Sequence, residues 1–212
     1  MDQRINSSVK DEELVKKRLS QLQKGAVNLF KQKGFHRATT REIAKAAGFS
    51  IGTLYEYIRK KEDVLFLVCD TIHDEVKIRM ERVTDQESTS EEALKQAVTA
   101  YFQIMDEMQD EVLILYQELK ALPKKEQEYV LKKEREMVGI LERVIQNSYP
   151  DVLDQKELSL VANNIYVQGQ MWGFRRWLIQ KEFSLKEYTK QQFELLKGQM
   201  AYKAKQKSGG GV

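Results

Sequence analysis

The sequence predicts an all-α fold, and three observations lead to that prediction. Apolar residues recur at three- and four-residue intervals through most of the chain, which is the spacing of one helix face. The 212 residues include only 2 prolines and 11 glycines, whereas a β-sandwich or barrel needs a turn about every 8–12 residues. The composition, 42% apolar and 32% charged, is that of a globular protein rather than a disordered chain.

Two helices are predicted before residue 48. The first covers residues 12–33, since residues 1–10 show no helical periodicity, and Gly34 suits the left-handed conformation that ends a helix. The second begins at Thr39, which can form a capping box with Glu42 three residues later. We expect this second helix to be short because Gly48 follows it closely.

A third short helix, from about Ser50 to Ile58, completes a helix-turn-helix pattern in which Gly48 makes the turn. Ser50 is the expected N-cap, Ala44 is small where the helices cross, and Leu54 fills the core between them. The inner face carries Ile51, Leu54 and Ile58, and the outer face carries Gly52, Thr53, Tyr55 and Tyr57. Small or hydrogen-bonding side chains of this kind suit the major groove of DNA. An ordinary helical hairpin is the alternative explanation of these residues.

Six further helices are predicted, which gives about nine in all. They cover residues 61–84, 90–108, 111–122, 123–149, 154–180 and 184–204. A polar linker is expected at 85–90, and Pro150-Asp151 breaks the helical pattern. The predicted organisation is an N-terminal helix-turn-helix domain over 1–60, a larger helical domain over 61–205 and a flexible tail over 206–212.

Basic residues are concentrated at the N-terminal end. Residues 1–61 contain 14 Lys/Arg and 6 Asp/Glu, and residues 62–212 contain 21 and 26, although the whole chain carries only +3. This asymmetry favours a polyanionic partner at one end. Phosphate contacts are expected from Arg41 and from Arg59, Lys60 and Lys61. The starts of the two short helices, near Thr39, Thr40 and Ser50, offer further N–H donors.

Several classes of protein find no support in the sequence. Cys69 is the only cysteine, which excludes an intrachain disulfide or a four-cysteine zinc site, and we expect its thiol to be buried. The longest wholly apolar run, residues 64–69, is far shorter than the ~20 residues of a membrane span. Without a signal-peptide core in the first ten residues, we expect a cytoplasmic protein. His36 and His73 are too few and too separated for a metal site; His73 with Asp70 and Asp74 is a weak candidate, for which a solvated helix face is the favoured explanation. No enzyme motif or cofactor-binding pattern is present.

The segments REIAKAAG and GTLYEYIRKKEDVL, together with Gly34-Phe35, resemble the DNA-binding signature of the tetracycline-repressor (TetR) family of bacterial regulators. The resemblance covers about residues 15–65. It implies an all-helical homodimer that binds double-stranded operator DNA, usually as a repressor that a small ligand releases. Tyr57 and Ile58 depart from the family pattern, which often has His and an aromatic residue at these places, so the operator sequence is not inferred.

Carried over by position, the resemblance implies DNA contacts from Thr39, Thr40, Arg41, Ser50, Gly52, Thr53, Tyr55, Tyr57 and Lys61. The C-terminal helices carry Met and aromatic side chains that can line an adaptable pocket. We expect a ligand near Phe102, Met105, Met108, Tyr116, Tyr166, Gln170, Trp172, Phe174, Arg175 and Arg176. Plain core or dimer interface is the alternative for each of them, and an arginine inside an apolar helix needs an anionic partner.

The last helices are loosely similar to those of TetR regulators tied to fatty-acid or acyl-CoA metabolism, so an acyl-CoA or fatty acid is one expected effector. By the same resemblance, the last two long helices are the expected dimer interface. The stripes assigned to it are Val161, Ile165, Gln168, Gly169, Trp172 and Phe174, and Tyr188, Phe193 and Leu196. A ligand-independent or partner-controlled DNA-binding regulator is the alternative function.

Overall fold

The computed structural model describes residues 12–84 and 90–209, and all regular structure within these ranges is helical, which confirms the predicted fold class. Ten α-helices follow one another: α1 (Glu12–Lys33), α2 (Thr40–Ala46), α3 (Ile51–Tyr55), α4 (Lys61–Thr84), α5 (Glu91–Glu107), α6 (Gln109–Glu118), α7 (Lys124–Ser148), α8 (Gln155–Phe174), α9 (Arg176–Glu182) and α10 (Leu185–Gly209). A single 3-10 turn, Leu119–Ala121, lies between α6 and α7. Residues 1–10, which were expected to fray, and residues 85–89 of the linker expected at 85–90 lie outside the described residues.

The helix predicted over 154–180 is two helices, which is why the described residues hold ten rather than nine. Arg175 leaves the helical conformation (φ −103°, ψ 24°) between α8 and α9. The Gln180 side-chain amide donates to the Trp172 carbonyl oxygen at 3.2 Å and to Gln109 Oε1 at 3.2 Å. This amide therefore satisfies a carbonyl group that the break would leave unpaired.

Two other helix ends differ from the prediction. The third helix is only five residues long and ends at Tyr55 rather than Ile58. The last helix continues to Gly209, so residues 206–209 of the expected tail are helical, and 210–212 lie outside the described residues.

The chain divides into two compact units that differ from the predicted 1–60 and 61–205 division. The first comprises Met1–Ile72 and Asp110–Leu131. Within it, Lys31 Nζ lies 2.6 Å from Asp110 Oδ2, and the His36 ring lies 3.4 Å from Glu118 Oε2. The compact unit that holds α1–α3 thus also includes α6.

The second unit comprises His73–Gln109 and Lys132–Val212. Its core contains a group of aromatic rings from α5, α8 and α10, in which Tyr101 stacks on Tyr166 at 5.7 Å. Tyr188 contacts Phe102 at 5.6 Å and Trp172 at 5.3 Å between ring centroids. Both α4 and α7 are continuous across the unit boundaries in sequence.

Within the two described ranges, no helix combines the length and the hydrophobicity that crossing a bilayer requires. The same residues bring together no group of three or more His, Cys, Asp or Glu side chains suited to a metal ion.

Candidate functional site

The helix-turn-helix depends on a close crossing between α1 and the end of α2. Gly25 lies in α1, and a Cβ atom added there would stand 2.6 Å from the Ala47 nitrogen and 2.7 Å from the Ala46 carbonyl carbon. Only glycine permits this approach. The predicted turn at Gly48 is confirmed, with φ at +74°, and Ala44 is buried as expected.

The start of α2 is fixed by the predicted capping box. Thr39 Oγ1 accepts from the Glu42 N–H, and Glu42 Oε2 accepts from the Thr39 N–H at 3.0 Å. Lys33 Nζ donates to the other Glu42 oxygen at 2.7 Å. These bonds lower the pKa of Glu42 to about 2. The bond from Lys33 has the largest effect, and those from Thr39 come next. Thr40 and Arg41 therefore begin a helix whose position is set by two independent sets of bonds.

The five residues of α3 present a largely open outer surface. Ser50 caps the helix, accepting from the Thr53 N–H at 3.0 Å, and its hydroxyl pairs with the Thr53 hydroxyl at 2.9 Å. Gly52 has open space around it, because a Cβ there would meet only Ser50 Oγ, at 3.7 Å. Tyr55 is 52% exposed, and its hydroxyl lies 3.3 Å from Thr40 Oγ1. This contact connects the exposed surfaces of α2 and α3.

Two predictions about the faces of the third helix are wrong. Tyr57 is buried rather than presented on the outer face, and its ring lies 6.2 Å from that of Phe49. The reason is that α3 ends at Tyr55, so residue 57 no longer continues the helical face. Ile51, predicted on the inner face, is 38% exposed, whereas Leu54 and Ile58 are buried as expected.

Lys61 already has partners within the first unit. Its Nζ donates to the carbonyl oxygens of Phe35 and His36 at 3.0 and 3.1 Å and lies 4.4 Å from the centroid of the Phe35 ring. The ammonium therefore fixes the turn after α1, a role that sequence spacing does not reveal. A DNA contact from Lys61 stays a prediction, and it would have to be made with the one remaining N–H donor.

Thr40 and Tyr55 are in contact, and Arg41 and Thr53 are their near neighbours on α2 and α3, with Gly52 leaving room for close approach. Such side chains donate to phosphate and read base edges in the major groove. We call this set the α2–α3 surface. It contains an exposed arginine and hydroxyl groups and no buried catalytic group.

The predicted effector residues are divided between the two compact units, with Tyr116 in the first and the other nine in the second. Phe102, Tyr166 and Trp172 are buried in the aromatic core described above, and Trp172 Nε1 donates to Asp106 Oδ1 at 2.5 Å. Met105 and Gln170 are also buried in the second unit. Met108 caps the end of α5, and Tyr116 is exposed in the first unit.

The expectation of an arginine inside an apolar helix is wrong for Arg175. It is exposed at the break between α8 and α9, and its guanidinium lies 5.2 Å from the centroid of the Trp177 ring. Phe174 and Arg176, on either side of it, are half-buried. An effector contact from these residues stays a prediction.

The apolar stripes assigned to the dimer interface belong mostly to the interior of one chain. Val161, Ile165 and Gly169 on α8 and Trp172 near its end are buried, as are Tyr188, Phe193 and Leu196 on α10. The exposed apolar side chains of these helices are others. Leu160 and Val167 on α8 are 61% and 48% exposed, and Leu195 and Tyr202 on α10 are 68% and 59% exposed. Each pair is seven residues apart and therefore lies on one helix face.

Two family models match the chain. Residues 22–68 match the model described as "Bacterial regulatory proteins, tetR family", and residues 87–165 match the model described as "Tetracyclin repressor-like, C-terminal domain". The first match contains α2 and α3 entirely, and the second contains α5 to α7.

The curated relatives of this chain carry the names of transcriptional or metabolic regulators. The HTH-type transcriptional regulator HbdR of Aromatoleum sp. (strain CIB) is 28% identical over 197 residues, 91% of this chain and 84% of HbdR. The fatty acid metabolism regulator protein of Bacillus subtilis is 30% identical over 80 residues, 38% of this chain and 41% of that protein.

Solved structures of the same architecture are similar over most of the chain. A tetR-family regulatory protein from Rhodococcus RHA1 gives a TM-score of 0.75 at 20% identity and covers 84% of this chain and 94% of its own. AibR, solved in complex with isovaleryl coenzyme A and operator DNA, gives 0.70 at 18% identity and covers 84% of this chain and 97% of its own. At these identities the similarity shows a shared fold.

Proposed function

Because this chain belongs to the TetR family and is a DNA-binding transcriptional regulator, we propose that it represses transcription from a palindromic operator and leaves the DNA when an acyl-CoA or fatty acid binds. The observation that carries the proposal is the α2–α3 surface. It presents Arg41, Thr53 and the half-exposed Tyr55 on two short helices whose starts are fixed by Thr39 and Ser50. A repressor of this kind carries out no catalytic step, and it acts in the cytoplasm, where the bacterial chromosome lies.

The effector class is supported by two comparisons. AibR was solved with isovaleryl coenzyme A and operator DNA, and the relative from Bacillus subtilis is named as a regulator of fatty acid metabolism. A ligand of the proposed class has a hydrocarbon part and an anionic part. Release follows only if this ligand binds the DNA-incompetent conformation more tightly than the competent one.

We further propose that the regulator is a homodimer joined through two exposed apolar pairs, Leu160 with Val167 on α8 and Leu195 with Tyr202 on α10. Exposed apolar residues at a seven-residue spacing on two helices are typical of a helical interface. Two-fold symmetry of the protein matches a palindromic operator whose half-sites lie about 34–36 Å apart. Leu195→Glu should give a monomer in sedimentation velocity, whereas Leu131→Glu, at another exposed leucine on α7, should remain a dimer.

We propose that α4 transmits the effector signal. This helix runs without interruption from Lys61 to Thr84, and its first half belongs to the unit that contains α1–α3. A ligand that moves its second half therefore changes the spacing of the two DNA-binding surfaces in a dimer.

The test of DNA binding is selection from a pool of random duplexes, followed by titration of the selected sequence. We expect Tyr55→Ala and Arg41→Ala each to weaken binding by about 5- to 150-fold, because one base contact contributes ~1–3 kcal/mol. Arg135→Ala is the matched control, since Arg135 is also an exposed arginine but lies on α7. Binding should fall steeply as salt concentration rises, because phosphate contacts release counterions.

Two outcomes would contradict parts of the proposal. If no duplex is enriched, or if the three variants bind equally well, the α2–α3 surface is not the DNA-binding surface. If the selected complex is unaffected by fatty acids and acyl-CoA thioesters of several chain lengths, the regulator is ligand-independent or partner-controlled.

A further inference from the structure

The second unit contains a groove that is separate from the α2–α3 surface and from the predicted effector residues. It lies between α5 and α10 and has a volume of about 620 Å³. Pockets that bind small molecules commonly measure about 300–1,000 Å³. None of the predicted effector residues lines it.

Two contacts at different positions along α5 and α10 hold these helices together. Between the two contacts the helices face each other with short side chains, and this leaves the groove. At one level Lys197 Nζ lies 2.7 Å from Glu91 Oε1, and at the other the Tyr188 ring lies 5.6 Å from the Phe102 ring. These contacts set the helices antiparallel. In that register the short side chains of Thr99 and Thr189 come opposite one another, which leaves the space unfilled.

The lining divides into an apolar floor and a basic rim. Phe193 and Thr189 are only 4% and 7% exposed and form the floor with Leu185. Lys95, Lys186 and Lys190 stand exposed at the rim, with Glu194 as the one acidic residue there.

The rim lysines of α10 are available for a ligand. The side chains of Lys186 and Lys190 make no hydrogen bond or ion pair with another described residue. Within the described part of the chain, the Lys95 ammonium pairs with Glu92, one helical turn away, at 3.3 Å. The ammonium groups of Lys186 and Lys190 beside an apolar floor attract an anion that carries a hydrocarbon chain.

The proposed dimer would leave this groove open. Successive helical residues are rotated by about 100°, so Lys190 and Phe193 lie on the side of α10 roughly opposite to Leu195 and Tyr202. The groove therefore faces α5, and the exposed stripe faces away from it.

We propose that the α5–α10 groove is a binding site for an amphipathic anion. The hydrocarbon chain lies on Phe193 and Leu185, and its carboxylate or phosphate group pairs with Lys186 and Lys190. A free fatty acid supplies the carboxylate, and an acyl-CoA supplies phosphates that extend past the open rim. The identification of this anion with the effector rests on the proposed function, whereas the binding site rests on the groove itself.

The experiment is calorimetric titration of the full chain with palmitate and, separately, with palmitoyl-CoA. We expect the double variant Lys186→Ala/Lys190→Ala to bind at least tenfold more weakly than the wild-type protein. Lys205→Ala, at an exposed lysine of α10 outside the groove, should bind within twofold of wild type. Thr99→Trp, which fills the groove from α5, should also lose binding, and circular dichroism will show whether each variant is folded. Binding of palmitate identifies the carboxylate as sufficient, and binding of palmitoyl-CoA alone identifies the phosphates.

The inference is overturned if neither probe binds the wild-type chain. It is also overturned if the folded double variant and Thr99→Trp both bind as wild type does. If those variants bind normally and the ligand still releases operator DNA, the effector site is elsewhere and the proposed function stands. If binding of palmitate or palmitoyl-CoA depends on the groove but does not release operator DNA, the groove is a binding site and its ligand is not the effector.

Discussion

Replacing Gly25 with alanine should destabilise the protein, although the same change stabilises most helices. In a helix interior, alanine is favoured over glycine by ~1 kcal/mol. At Gly25 the new Cβ would stand 2.6 Å from the Ala47 nitrogen, about 0.8 Å inside the 3.4 Å at which ordinary van der Waals contact begins. The neighbouring atoms belong to the backbone and cannot rotate away.

The expected magnitude follows from these two opposing effects. Overpacking costs ~1–3 kcal/mol, and a clash with backbone lies in the upper part of that range. After subtraction of the propensity gain, the free energy of unfolding should fall by ~1–2 kcal/mol. For a chain of this size each kcal/mol shifts Tm by about 2–4 °C, so we expect a decrease of about 2–8 °C in calorimetry.

Gly139→Ala is the matched control. Gly139 lies inside α7, and an added Cβ there would meet nothing within 4 Å. Its Tm should therefore rise by about 2–4 °C, as propensity alone predicts. Both variants must be measured at one protein concentration, because the stability of any protein that self-associates depends on it. A rise in Tm for Gly25→Ala equal to that of Gly139→Ala would refute the close-crossing argument.

Three further outcomes can be checked on the same protein. Burial, assisted by the nearby charge of Asp70, raises the pKa of the Cys69 thiol to about 12. Iodoacetamide should therefore modify this thiol at pH 8 only after the protein unfolds, and rapid modification of the native protein would contradict this. The pKa of Glu42 is lowered to about 2 from 4.5, so its contribution to stability is present above pH 4.5 and lost as the pH falls towards 2. Thermal melts of wild type and Glu42→Gln should therefore differ at pH 6 and converge near pH 2. Trp172→Phe removes the donor to Asp106 and should cost ~1.5–3 kcal/mol in urea unfolding. Trp177→Phe, at a 61% exposed site, should change stability by less than ~0.5 kcal/mol.

Features set by neighbouring residues could be predicted from the sequence. The capping box at Thr39, the N-cap at Ser50 and the positive φ of Gly48 are all as expected. Each depends on hydrogen bonds or steric limits within about four residues. The helix-turn-helix as a pattern could therefore be identified from the chain alone.

Features set by distant partners could not be predicted in the same way. The importance of Gly25 appears only when Ala46 and Ala47 are brought against it. The break at Arg175 depends on an amide from Gln180, which bonds both to α8 and to Gln109. The periodicity of the sequence gives no information about either contact.

The sequence also did not show which apolar face of α8 is exposed and which is buried, for a different reason. This helix has apolar residues on two sides, with Val161 and Ile165 buried and Leu160 and Val167 exposed. Periodicity shows that two apolar faces exist but not which one packs within the chain. The α5–α10 groove was missed because it results from the register of two helices almost a hundred residues apart.

The inclusion of α6 in the first compact unit has a practical consequence for building chimeric regulators. A junction placed after residue 60 would separate Lys31 from Asp110 and His36 from Glu118. A transplanted segment α1–α3 would then pack against the α6 of another protein, and Lys31 and His36 would lose Asp110 and Glu118 as partners. Designers who wish to exchange operator specificity should therefore graft the single surface residues of α2 and α3 and leave the rest of this unit intact.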